Sequence, residues 1–229
     1  MHARALAAET LGTFVVIAVL FGSWLVTRPG DGDTWAVAVA TGLALTSVTY
    51  AFGQVSGGHF NPVITIGLVA GGRFELAHAP GFVIAQLVGA GLAAAFIFLI
   101  AQGAVQAGRV GAIDFSGIAN VYSGNGAVAL LAALLLEIVL CALLVLVFMG
   151  ATSQSSMAAF APLAIGGVFA CCYLLSIPIT NGGLHPARST AAAVFGGPAS
   201  LAQLWVFWIA PLAGAILGGL AARYLYRDT

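Results

Sequence analysis

The sequence predicts an all-α integral membrane protein, built from six transmembrane helices and two re-entrant half-helices in an inverted three-span repeat. Composition is the first observation: 61% of the 229 residues are hydrophobic and 6% are charged, whereas soluble domains carry about 25% charged residues. The second is six apolar stretches of membrane-spanning length. The third is a pair of segments that share one pattern and follow the second and fifth stretches.

Each of the six stretches is close to the roughly 20 residues that a helix needs to cross the hydrocarbon core. None alternates with the two-residue period of a β-barrel strand, so helices are predicted. The first is too long for the apolar core of a signal peptide. The predicted spans are approximately Leu6–Val26, Thr34–Phe52, Gly81–Ala101, Ala127–Phe148, Met157–Ser176 and Leu201–Tyr224.

The two special segments are SGGHFNPVITIGLVAGG (Ser56–Gly72) and NGGLHPARSTAAAVFGG (Asn181–Gly197). Each begins with Gly, passes through an X-Pro pair, continues through about ten mostly apolar residues and ends in Gly-Gly. Ten helical residues rise about 15 Å, half of the hydrocarbon core. Each segment is therefore predicted to be a re-entrant half-helix whose irregular backbone faces protein or water.

The two halves of the chain carry matching acidic residues and matching breaks. Glu9 and Glu137 lie near the starts of spans one and four, and we also pair Gln86 of span three with Gln203 of span six. Because each repeat has an odd number of spans, the second copy must be inverted, and the half-helices enter from opposite faces.

The chain is predicted to form a single domain, 1–229, with repeats at about 1–110 and 125–229. A weak excess of Arg on one side places both termini in the cytoplasm and the long loop Gln102–Gly126 outside. The inner residues are Arg4, Arg73, Arg223 and Arg227; the outer ones are Arg28 and Arg109. Seven basic and seven acidic residues cancel, so charge indicates no nucleic-acid partner.

The X-Pro pairs predict the centre of the site. Asn is a favoured N-cap and Pro a favoured first helical residue, and a helix N-terminus carries about half a positive charge. Two such ends facing each other exclude cations and fix donors that orient a neutral molecule. The two motifs comprise Asn61, Pro62, Val63, His185, Pro186 and Ala187.

Extended backbone before each Pro is predicted to line a water file, because its carbonyls cannot pair within a helix. These carbonyls belong to Gly57, Gly58, His59, Gly183 and Leu184. Glu9 and Glu137 are predicted to brace the two loops by accepting hydrogen bonds from backbone N–H groups. A ladder of acceptors that leads to central donors indicates a pore for neutral hydrogen-bonding solutes.

Arg188 lies three residues after His185 and shares its helix face. An Arg within a span costs about 2.5–3.5 kcal/mol, so it should face a cavity or a partner, and we place it at the outer mouth. Two interpretations of His185 stay open: a residue that only caps its loop, or a polar residue that lines the pore.

The SGGHFNPV and HPARS motifs, together with AET near the N-terminus and NPVITIG, resemble the aquaporin (major intrinsic protein) family over nearly the whole chain. The resemblance implies a homotetramer of independent pores in a lipid bilayer, here a bacterial cell membrane. Each pore would pass water or small uncharged solutes and exclude ions and protons. No enzymatic activity, cofactor or metal is implied.

The chain departs from the family pattern in its two motifs. Val63 stands where Ala is usual, and His185 stands where Asn is usual. The family's outer selectivity filter maps onto Thr41, Tyr173, Gly182 and Arg188.

Thr41 replaces a large aromatic residue and Tyr173 replaces the His of water channels. The filter is therefore expected to be wider and less polar than that of a strict water channel, unless the Tyr173 ring swings across it. We expect solutes larger than water, such as glycerol-like polyols or arsenous acid. Ser189 favours a strict water channel instead, because glycerol-conducting members usually have Asp there.

A third interpretation is an ion-coupled secondary transporter, since inverted repeats with broken helices also occur in that class. The only acidic residues within the spans, Glu9 and Glu137, lie near span starts rather than at the breaks. An enzyme is not indicated, because HExxH and GxSxG motifs and an acidic pair near His185 are absent from the sequence.

Overall fold

A computed structural model describes residues 3–26, 34–107, 115–122, 126–153 and 158–226. Arg28, Arg109, Arg227 and the predicted span start at Met157 lie outside these ranges, as does part of the predicted outer loop. Within them the chain is helical: α1 Ala3–Val26, α2 Thr34–Ser56, α3 Pro62–Ala70, α4 Ala79–Gln106, α5 Ala127–Ala151, α6 Ala161–Thr180, α7 Pro186–Gly196, α8 Pro198–Gln203 and α9 Val206–Leu225. Short 3₁₀ turns lie at Leu76–His78, Phe115–Gly117 and Ala158–Phe160.

Six helical stretches of the described chain are long and apolar enough to cross a membrane, which confirms the six predicted spans. Their ends differ from the prediction. Helix α4 continues past Ala101 to Gln106, because three of the five added residues, Gln102, Ala104 and Gln106, are good helix formers. The sixth span is interrupted: α8 ends at Gln203 and α9 begins at Val206.

The two predicted half-helices are α3 and α7. Pro lies at the start of each one, and the preceding Asn61 or His185 accepts a hydrogen bond from a backbone N–H of the first turn. Both helices end at Gly: Gly71 caps α3, and Gly197, with φ of 87°, ends α7 before Pro198 starts α8. Local capping chemistry therefore defines both half-helices.

Reciprocal close packing relates the two halves of the chain. Helices α2 and α6 cross where Gly42 meets the backbone of Gly166, and a Cβ on either one would clash with the other's carbonyl oxygen. Gly89 of α4 lies against the Thr10 carbonyl of α1 in the same way that Gly214 of α9 lies against α5. Small residues let membrane helices approach closely, and here they bring α2 against α6, α4 against α1 and α9 against α5.

Candidate functional site: a pore centred on two half-helices

Asn61 and His185 bond reciprocally across the centre of the molecule. Asn61 Oδ1 accepts from Val63 N at 2.9 Å, and its Nδ2 donates to the Leu184 carbonyl at 2.9 Å. His185 Nδ1 accepts from the backbone N of Arg188 at 3.3 Å, and its Nε2 lies 2.8 Å from the Phe60 carbonyl. Each capping residue therefore holds its own helix start and the loop that precedes the opposite one.

The tautomer of His185 follows from these partners. A carbonyl oxygen can only accept a hydrogen bond and a backbone N–H can only donate. Nε2 therefore carries the proton that it donates to Phe60, and Nδ1 is the acceptor. This confirms the capping role of His185. The ring also lines the central cavity, so the two interpretations left open by the sequence are compatible.

Backbone strain marks the same two loops. Phe60 and Leu184 adopt φ of 48° and 47°, in the left-handed region that non-Gly residues enter at a cost of about 1–3 kcal/mol. Gly57, Gly58 and Gly182 also have positive φ, which Gly adopts without that cost. The strained pair supplies the two carbonyls that accept from the opposite half, so the cross-bonds compensate the strain.

A narrow cavity lies at this centre. Its volume is about 10 Å³, close to the least that holds one water molecule. Three polar residues, His59, Asn61 and His185, line it together with apolar neighbours that include Val16, Leu45, Ile64, Leu144, Ile165 and Phe169.

Glu9 is fully buried and accepts from the loop that precedes α3. Its Oε1 accepts from Ser56 Oγ at 2.6 Å and His59 N at 3.0 Å. Its Oε2 accepts from Phe60 N at 2.7 Å and Gln86 Nε2 at 2.8 Å. These four bonds are the contacts that a loop brace requires.

Glu137 occupies the equivalent place in the second half. It accepts from Leu184 N and Thr180 Oγ1, each at 2.7 Å, and a Cβ on Gly183 would clash with its carboxylate. The pairing of Gln86 with Gln203 was wrong. Gln86 bonds Glu9, whereas Gln203 lies in α8 and accepts from Tyr122 N. Gly89 and Gly214 pack equivalently, and the residue three positions before Gly214 is Pro211.

Arg188 is fully buried. One guanidinium NH2 group donates to Asn120 Oδ1, and the other donates to the Ile118 carbonyl at 2.6 Å. Its Cζ lies 5.7 Å from the centroid of the Phe21 ring, within cation–π range. Nε is buried and has no hydrogen-bond partner in the described chain.

Asn120 was missed by the sequence reasoning, which placed it in an external loop. It is buried, accepts from Arg188 and from Ser189 Oγ, and donates to the Thr180 and Asn181 carbonyls. Its position within the apolar run Ile118-Ala119-Asn120-Val121 is the one signal that could have indicated burial.

Tyr173 and Gly182 of the predicted filter are in contact. A Cβ on Gly182 would come within 2.6 Å of Tyr173 Cε1, so the ring takes the space that a side chain at 182 would fill. Tyr173 is fully buried and its hydroxyl has no partner in the described chain. Thr41 is also fully buried, and its hydroxyl donates to the Val37 carbonyl of its own helix at 2.7 Å.

The predicted carbonyl ladder divides into two groups. Leu184 O accepts from Asn61. No protein donor to the carbonyls of Gly57, Gly58, His59 and Gly183 occurs among the described residues. The ring of His59 packs against both Phe74 and Phe82, with centroid distances of 4.7 and 4.8 Å. These contacts hold the His59 ring in place, and His59 also lines the central cavity.

The model of the major intrinsic protein family matches residues 1–222. The chain belongs to the major intrinsic protein family. Members of this family are channels, not enzymes, and the chain is accordingly a multi-pass membrane channel.

Bacterial relatives agree over nearly the full length. The chain is 43% identical to Aquaporin Z of Photorhabdus laumondii, over 98% of each chain. It is 41% identical to Aquaporin Z of Rhodopseudomonas palustris, over 98% of this chain and 94% of the relative.

A solved structure shows the same fold. The X-ray structure of the aquaglyceroporin from Plasmodium falciparum superposes with a TM-score of 0.78 at 21% identity. The match covers 99% of this chain and 96% of that one.

Proposed function

We propose that this protein is a passive channel that conducts water together with larger uncharged solutes, such as glycerol-like polyols or arsenous acid, and excludes ions and protons. The observation that carries the proposal is the reciprocal bonding of the half-helix starts through Asn61 and His185. It points two positive helix ends at one cavity, which repels cations while donors remain for neutral molecules.

The wider substrate range rests on the filter residues Thr41, Tyr173, Gly182 and Arg188. Neither Thr41 nor Gly182 brings a large side chain to the outer half. The unpartnered Tyr173 hydroxyl and Arg188 Nε are a donor–acceptor and a donor that a hydroxylated solute can use. The buried cation of Arg188 adds to the barrier against cations.

A strict water channel is the second candidate. The central cavity is close to the size of one water molecule, and Tyr173 fills the space beside Gly182. Ser189 and the Aquaporin Z names of the relatives favour it as well.

Light scattering from proteoliposomes separates the two candidates. Water permeability is measured from shrinkage in an impermeant osmolyte, and solute entry from reswelling in glycerol, urea or arsenite. We expect water flux and measurable entry of at least one solute. Strong water flux without any solute entry would leave the strict water channel as the function.

The transporter alternative lacks a free acidic group in the described spans. Four donors occupy the Glu9 carboxylate, and Glu137 is held by Leu184 and Thr180. We expect flux to stay linear in solute concentration without a proton or sodium gradient. Saturation at low concentration together with a gradient requirement would refute the channel.

We also propose a homotetramer in the bacterial cell membrane, with both termini in the cytoplasm. Support comes from the family, from the bacterial origin of the relatives and from the Arg count. Chemical cross-linking in native membranes tests the assembly, and protease access from each face tests the orientation.

A further inference from the structure

We propose that the two capping residues at the centre of this pore, Asn61 and His185, offer a passing solute a single side-chain hydrogen-bond donor, the second amide hydrogen of Asn61. The inference rests on the proposed function and names the residue that sets how solutes are held at the centre. It follows from a comparison of Asn61 and His185, which both cap their own half-helix and bond the opposite loop but have different numbers of donors.

Both residues make the same two protein bonds. Each accepts from a backbone N–H of its own helix, and each donates to a carbonyl of the opposite loop. An amide has one acceptor oxygen and two N–H donors, whereas a neutral imidazole has one acceptor nitrogen and one donor. After these two bonds, Asn61 retains one N–H and His185 retains none.

The surroundings keep the remaining donor of Asn61 free. Its Nδ2 bonds only Leu184 O within the described chain, and the residue lines the central cavity. On the opposite side, the Phe60 carbonyl accepts from both Thr13 Oγ1 and His185 Nε2. That oxygen therefore uses both lone pairs within the protein and does not accept from a solute.

The donor count has a consequence for the solute. In a narrow, mostly apolar cavity, each donor offsets part of the hydration that a solute leaves behind. Here a single acceptor oxygen on the solute satisfies the one free donor that the two capping residues provide. A water molecule held there keeps its second lone pair for the next water in the file, so exclusion of protons depends on the helix ends and Arg188.

Exchanging the two residues tests the donor count. His185→Asn raises the number of free donors to two, and Asn61→His lowers it to zero. The double exchange, Asn61→His with His185→Asn, places one donor on the opposite side. Osmotic water permeability per folded channel is measured in proteoliposomes for the wild type, both single variants and the double exchange. The lipid-facing variant Leu43→Ala controls for effects of substitution on expression and reconstitution.

We expect permeability to rise in His185→Asn and to fall in Asn61→His. Each step should be about two- to tenfold, the change that one net hydrogen bond makes. The double exchange should fall between the two single variants. Equal permeability in all conducting variants, or a fall in His185→Asn, would overturn the donor count while leaving the channel intact. Absence of water flux in the wild type would overturn the proposed function itself.

Nitrogen-15 NMR of histidine-labelled protein tests the hydrogen bonds without any flux. The His185 signal is identified by its loss in His185→Asn. We expect a neutral ring with the proton on Nε2. A proton on Nδ1, or on both nitrogens, would show that His185 has a different set of partners and would refute the proposal.

Discussion

Tyr173 lies across the position where residue 182 would carry a side chain. A Cβ on Gly182 would come within 2.6 Å of Tyr173 Cε1, and Gly182 itself has φ of 70°. The two residues, one in α6 and one in the following loop, thus depend on each other. We therefore expect the width of the predicted outer filter to depend on where the Tyr173 ring stays, more than on the absence of a side chain at 182.

Removing the Tyr173 ring should widen the filter. For Tyr173→Ala we expect glycerol and urea entry to rise about tenfold, which corresponds to a barrier lowered by about 1.4 kcal/mol. Reswelling light scattering measures the change. Tyr173→Phe is the matched control: it keeps the ring and removes only the unpartnered hydroxyl, so size exclusion should persist. Unchanged solute entry in Tyr173→Ala would place the limiting constriction elsewhere, at the central cavity.

A large side chain at position 41 should narrow the pore if Thr41 belongs to the filter. For Thr41→Phe we expect solute entry to fall about tenfold or more, a barrier change of at least about 1.4 kcal/mol, with a smaller loss of water flux. Leu43→Phe, on the same helix but 61% exposed, adds a ring without reaching the pore. Equal behaviour of the two variants would remove Thr41 from the filter.

The Glu9 carboxylate should act as a structural brace. In the wild type both carboxylate oxygens of Glu9 accept hydrogen bonds. In Glu9→Gln an amide nitrogen replaces one of these oxygens and faces other donors, and an unsatisfied buried donor costs about 1–3 kcal/mol. We expect a lower thermal midpoint in detergent, with no acquired dependence on a proton gradient. Glu75→Gln is the control, since that side chain is 78% exposed. A stable Glu9→Gln variant that loses gradient-driven uptake would favour the transporter.

Asn120 should hold Arg188 in position. In Asn120→Ala the Arg188 guanidinium loses an acceptor, and we expect a loss of about 1–3 kcal/mol together with altered discrimination between water and urea. Asn181→Gly is the comparison, because Asn181 ties the same loop through Gly117 and Ala119 without touching Arg188. It should lower stability and leave selectivity unchanged. Altered selectivity in both variants would assign the effect to the loop as a whole.

Much of the fold was predictable because its signals are local. Helix length and apolarity identified the six spans, and the X-Pro pairs with terminal Gly located α3 and α7. The end of α4 was not predictable, since the helix continues five residues beyond the apolar stretch. The break before α9 was not predictable, since apolar composition continues through it. The pairing of Gln86 with Gln203 failed for a different reason: a shared residue type does not show that two positions pack equivalently, and the position of α9 that matches Gln86 is Pro211.

The sequence by itself determined that this chain crosses a membrane six times, that two half-helices start at Asn61-Pro62 and His185-Pro186, and that Arg188 lies beside the second. These features depend on hydropathy and on capping over a few neighbouring residues. Only the tertiary structure decided that His185 donates to Phe60, that Asn120 holds Arg188 and that Tyr173 closes over Gly182. Each of these contacts joins separate structural elements. Tertiary packing decides which acceptor a side chain reaches and which space a ring fills, and residues that are neighbours in the sequence do not encode that packing.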